Sequence, residues 1–245
     1  MRGSDKIVLR SKGGASKKRI QKDPAFASTR NLNYEWAAVA WASMNIRIGL
    51  GALKPLADYN ISGPLNALVK KIQCSDTLNP KGRRSILFSR QPDSLSSFQY
   101  NRLTIFDSVI RQPLDVHIDR DTAIVDVTLP ALQPQINFFP NPRYPYFRIL
   151  MDCACLTDFI CKEGSTDYQA PPAMMPGYET AKSEWAVTQL AQDSLQFQLA
   201  SVTNTPLKPD MILIFGAGIQ YGMPGADGSI QPVPRAGAAR IMKCV

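Results

Sequence analysis

Histidine is nearly missing from this 245-residue chain, and His117 is the only one. A single imidazole excludes a His-rich metal centre and leaves one place, around His117, where a Ser–His–Asp triad could be built. Cysteine is sparse as well. Five cysteines, an odd number at low density, argue against a disulfide framework and for a reducing compartment. Long apolar runs are absent: the longest, 36–41 and 211–215, are far too short to span a bilayer. No apolar stretch of signal-peptide length follows the charged N-terminus within residues 1–30. The expectation is a protein with no membrane partner and no signal peptide, cytoplasmic or part of an assembled particle.

Acidic residues are missing from one segment in particular. Residues 1–30 hold nine Lys and Arg against Asp5 and Asp23, while residues 31–245 hold 19 basic and 18 acidic side chains. The formal +8 of the whole chain therefore belongs to a basic arm on a nearly neutral body. The run Gly13-Gly14-Ala15-Ser16-Lys17-Lys18-Arg19 combines flexible glycines with like charge and no apolar period, so an extended arm over residues 1–30 is expected. Arg10, Lys12, Lys17, Lys18, Arg19 and Lys22 are its candidate contacts to nucleic-acid phosphates or to a neighbouring subunit.

Helical periodicity follows. Asp23-Pro24 reads as a helix start, and Leu32, Trp36, Val39, Ser43, Ile46, Leu50 and Leu53 recur at steps of three and four from about Asn31 to Lys54. A second helix is expected from Ser62, with Leu65, Leu68, Val69 and Ile72 on one face. Residues 31–78 thus read as a helical hairpin that needs a partner surface. Phe26, Trp36, Val39 and Trp41 are the candidate subunit-interface residues.

After Asn79-Pro80-Lys81-Gly82 the period changes to two. Strands are expected near Phe98–Thr104, at 115–119 turning at Asp119-Arg120-Asp121 into 124–129, at 146–157, at 185–190, at 195–199, at 211–220 and at 238–245, with loop over 222–237. Strand follows strand without helical crossovers, so the expected class is α+β, mainly β. Residues 79–245 form an antiparallel β-sandwich in this reading.

Chemistry-bearing groups are few. Gly216-Ala217-Gly218 follows a strand, but Tyr221 stands where a dinucleotide-binding loop needs its third glycine, and Met223-Pro224-Gly225 cannot open a helix. Cys153 and Cys155 share an apolar strand face with Phe147, Ile149 and Met151, which reads as small buried hydrophobes. A zinc site would need paired knuckles that Cys153, Cys155 and Cys161 do not supply. Asp115, His117 and Asp119 alternate on the polar face of their strand with no nucleophile motif beside them. No catalytic, cofactor-binding or metal-ligating residue is assigned.

The stretch Lys12-Gly13-Gly14, Ser16, Arg19-Ile20, Asp23-Pro24-Ala25-Phe26, Thr29-Arg30 and Glu35 resembles the opening of an uncharacterised protein family widespread in Bacteroidota. In that opening an Asn stands at the position that Asn31 and Asn33 flank here. The resemblance covers residues 1–60 and implies lineage rather than chemistry, because the family carries no established activity. The expected function is a non-enzymatic structural protein that assembles with itself into a homo-oligomer, filament or tube through arm, helices and β edges. The alternative is a nucleic-acid-associated or capsid-like coat protein whose basic arm contacts phosphates.

Overall fold

The computed structural model describes residues 13–96, 98–162, 168, 178–200 and 206–245. Ser16 opens the first helix, α1 (Lys17–Lys22), by accepting the Arg19 amide on its hydroxyl. Asp23 caps the 3-10 turn Pro24–Phe26 by accepting the Ala25 amide, with Pro24 where its missing N–H costs nothing. The helix α2 (Ala27–Gly49) follows at once. The expected extended arm is therefore helical over residues 17–22, and α2 begins inside it rather than at Asn31. Arg30 supplies the reason: its guanidinium donates to the carbonyls of Ile20 and Asp23, which ties α1 back onto α2. Arg10 and Lys12 lie outside the described residues.

Gly49, Gly51 and Pro55 weaken the α-helical ladder, so the chain tightens into a 3-10 segment, Gly51–Leu56, where a continuous helix to Lys54 was expected. The helix α3 (Ser62–Cys74) then packs back against α2. No strand forms over 98–104. Tyr100 instead donates its amide to Ala239, and the short helix α4 (Phe106–Val109) follows.

Two antiparallel sheets make up the rest. The hairpin β1 (Asp115–Asp119) and β2 (Ile124–Leu129) pairs in register from Asp115↔Thr128 to Asp119↔Ile124, and β6 (Leu195–Ala200) adds to β2. The larger sheet is built on β3 (Tyr146–Thr157) and β7 (Met211–Pro224). Beyond β3 lie β4 (Tyr178–Lys182) and the short β5 (Ala186–Val187); beyond β7 lie β8 (Ile230–Pro232) and β9 (Ala238–Cys244). The fold is α+β, a helical segment followed by antiparallel sheets. Part of the expected loop 222–237 is a hairpin: β7 runs on to Pro224, and Asp227 accepts from the Ser229 amide and hydroxyl to turn the chain into β8. Only β5 forms where a strand over 185–190 was expected.

Both faces of the large sheet are covered, which is why β3 and β7 read as near-continuous apolar runs. Phe147, Ile149, Met151, Cys153 and Cys155 share a core with Val125, Val127, Leu129 and Leu199 of the small sheet. The alternate residues Leu150, Ala154 and Leu156 share a second core with Val39, Ala42, Ile46, Leu53 and Leu65 of the helical segment.

Gly216 and Gly218 lie on the helix side of β7, in a central strand. A Cβ on Gly216 would meet Leu53 at 2.6 Å, and one on Gly218 would meet Leu56 at 2.5 Å and Ala239 at 2.9 Å. The Gly-Ala-Gly sequence is thus a bare patch of sheet that seats the leucines of the 3-10 segment. Gly218→Ala is expected to lower stability by about 1–2 kcal/mol through overpacking, read as a lower urea midpoint with an unchanged slope.

Candidate functional site

The residues singled out in the sequence fall in separate places. Lys17, Lys18 and Lys22 are exposed on α1 and form no ion pair among the described residues. Arg19 pairs with Asp23 at 3.1 Å and lies over the half-buried Phe26 ring. Trp36 is exposed, with the Lys70 ammonium over its ring at 5.5 Å. Trp41 is half-buried, edge-on to Phe159. Val39 is fully buried in the chain's own core, so it is removed from the interface candidates.

His117 is exposed on β1, in register with Asp126, whose carboxylate accepts from Gln198. Asp119 turns the hairpin instead of serving His117. Hydrogen bonds from the Thr122 hydroxyl and the Asp121 amide hold its carboxyl below the usual range. Cys153 and Cys155 face the small sheet in an apolar core, and burial pushes the Cys153 thiol up to about 12. Cys161 is buried near Ser85, whose hydroxyl accepts its amide. Among the described residues no group of three His, Cys, Asp or Glu is placed to hold a metal ion, and no helix is long and apolar enough to cross a membrane.

Two carboxylates that sequence reasoning passed over are deep inside. Glu35 is fully buried on α2. It takes the Lys70 ammonium at 2.6 Å, the Gly82 amide at 2.7 Å and the Arg84 guanidinium at 3.7 Å. Gln73 extends the network, accepting from Lys70 and donating to the Arg84 carbonyl. Burial alone would raise the Glu35 carboxyl, but the bonds from Lys70, Gly82 and Arg84 outweigh it and hold it low. Asp152 is fully buried on β3, accepting from the Ala52 amide and the Thr180 hydroxyl. These groups tie α2, the 3-10 segment and the sheet together.

The outward face of α2 is unusually apolar for an exposed helix face. Tyr34, Trp36, Met44 and Ile48 are 44%, 47%, 41% and 51% exposed, and Ala37 and Ala40 are exposed between them. None of the three charged residues of α2 offsets this. Arg30 is turned to the carbonyls of Ile20 and Asp23, Glu35 is buried, and Arg47 is engaged with Ser43 and Ser62. An apolar helix face is normally covered, and among the described residues nothing buries this one. No family model matches the chain, and neither do any of the curated proteins or solved structures compared with it.

Proposed function

We propose that the protein is a non-catalytic structural subunit that assembles with itself into a homo-oligomer, filament or tube. The observation that carries this is the apolar outer face of α2, with Trp36, Met44 and Ile48 around the small Ala37 and Ala40 and the helix's own charged side chains turned away or engaged. Such a face is self-complementary, because a second copy meets little like-charge repulsion there. In this reading the two sheets act as a sandwich body, residues 1–30 as a basic arm reaching a neighbour, and the edge strand β4 as a further β contact.

Light scattering after size-exclusion chromatography tests it. Wild-type protein is expected to elute as an oligomer. Ala40→Glu keeps a good helix former on an exposed position but sets carboxylates against each other, and it is expected to weaken association at least about 100-fold. A wild-type monomer at high concentration sinks the proposal.

A second reading, a nucleic-acid-associated or capsid-like coat, is favoured by one observation: Lys17, Lys18 and Lys22 project from α1 without acidic partners among the described residues. Such ammonium groups suit the phosphate backbone rather than base edges.

A further inference from the structure

Five cations that the sequence scatters are gathered by the fold along a groove made of two cavities that share Tyr59. One cavity, of about 630 Å³, lies between the 3-10 segment, the start of α3 and the turn at Pro234-Arg235. Arg47, Lys54 and Arg235 line it, and none of them forms an ion pair among the described residues. Arg47 reaches across to the Ser62 hydroxyl at 2.9 Å, on the first residue of α3, so the positive end of that helix points into the same space. Arg235 is held at φ 60, a left-handed conformation costly for a residue of its size, while its amide donates to Pro55.

A second cavity, of about 530 Å³, shares Tyr59 with the first and is lined by Lys71, Phe98 and Arg102. The Arg102 guanidinium lies 4.1 Å over the Tyr59 ring and is exposed to solvent. Asp58 is the one carboxylate among the lining residues of both cavities. Its oxygens are committed to the backbone amides of Arg102 and Leu103, so it fixes the loop that presents Arg102.

We infer that this groove is a binding site for single-stranded nucleic acid on the body of the protein. Arg47, Lys54 and Arg235 take consecutive phosphates, and the Arg102–Tyr59 stack with Phe98 offers flat surfaces to unpaired bases. Cations without carboxylate partners beside half-buried aromatic rings are what a single strand requires; a carboxylate-rich protein surface would use the cations and leave the flat faces idle. None of its lining residues comes from the described part of the arm, and the inference does not depend on the assembly reading.

The test is fluorescence anisotropy of the full chain with a labelled oligothymidylate of about 20 nucleotides, a duplex of the same length, and unlabelled inorganic phosphate or mononucleotide as competitor. Lys54→Gln/Arg235→Gln changes exposed side chains only and is checked for folding by its melting temperature. It is expected to weaken strand binding about tenfold and to flatten the log–log salt dependence by about 1.4, two single-strand phosphate contacts. Arg102→Ala is expected to cost about fivefold or more for the strand and nothing for the duplex. The arm variant Lys17→Gln/Lys18→Gln/Lys22→Gln should leave the strand bound, and Ala40→Glu should do so even as a monomer. No strand binding overturns the inference. So does binding lost only in the arm variant, equal affinity for the duplex, or affinity for the mononucleotide alone.

Discussion

Replacing Glu35 by Ala is expected to lower the unfolding free energy by about 3–5 kcal/mol, the usual cost of removing one partner from a buried ion pair. The side chain has no exposure, and its loss strands several groups at once. Lys70 keeps Gln73 and the Trp36 ring but no counter-charge, while the Gly82 amide and the Arg84 guanidinium lose their shared acceptor. A cavity under α2 adds to the effect. Urea denaturation at pH 7 measures the loss, and a change below about 1 kcal/mol would show that the network adds nothing net. The pH dependence provides a second reading. The Glu35 carboxyl is held below its unfolded value of about 4.3, so its contribution is present above that pH. It is lost as the pH falls through the lowered native value. The gap between wild type and variant should therefore narrow in acid to what the cavity alone costs.

Asp152→Asn is expected to act in the opposite direction. Burial pushes this carboxyl up to about 6, against the hydrogen bonds of Thr180 and Ala52 and the charge of Lys182. The native value lies above the unfolded value of about 3.9, so folding favours the protonated acid. That contribution is fully present below about pH 3.9 and is lost as the pH rises to about 6. Two units correspond to about 2–3 kcal/mol forfeited at neutral pH. Asparagine stays neutral, keeps an oxygen for the Ala52 amide and turns a donor to the Thr180 hydroxyl. The variant should be more stable than wild type by about 2 kcal/mol at pH 8 and no more stable near pH 4. Thermal unfolding across that range checks it, and an equal gain at both ends would rule out ionisation as the cause.

Elements with one covered and one open face were legible in the sequence. The hairpin 115–129 and strand β6 alternate cleanly, and the structure pairs them. The strand β3 was readable because both of its faces are buried and its apolar run has the length of a strand. The helix α2 was readable as a helix, and its buried face only in part. The expected stripe does enter the core at Val39, Ser43, Ile46, Leu50 and Leu53, but Trp36 turns outward and Ala38 and Ala42 are buried beside it, a rotation that so many apolar positions hide. Glu35 shares the buried side, and its partners Lys70, Gly82 and Arg84 come from segments no local pattern connects to it. The strand β4 was hidden by Glu179, Thr180 and Lys182, polar residues on a sheet edge. The cationic groove was invisible for a different reason. Summing charge over residues 31–245 gives +1, and that average cancels Arg47, Lys54, Lys71, Arg102 and Arg235 against acids that the fold places elsewhere.

The seating of the 3-10 leucines on bare glycines of β7 also sets an order of events during synthesis. Leu50, Leu53 and Leu56 leave the ribosome long before Gly216 and Gly218, and β9, which flanks the same patch, comes later still. At about 5–20 residues per second the helical segment waits on the order of ten seconds with both its inner and outer apolar faces uncovered. A nascent chain in that interval is a natural client for a holdase, and two such chains on neighbouring ribosomes present each other with the outer face of α2 before either sheet exists.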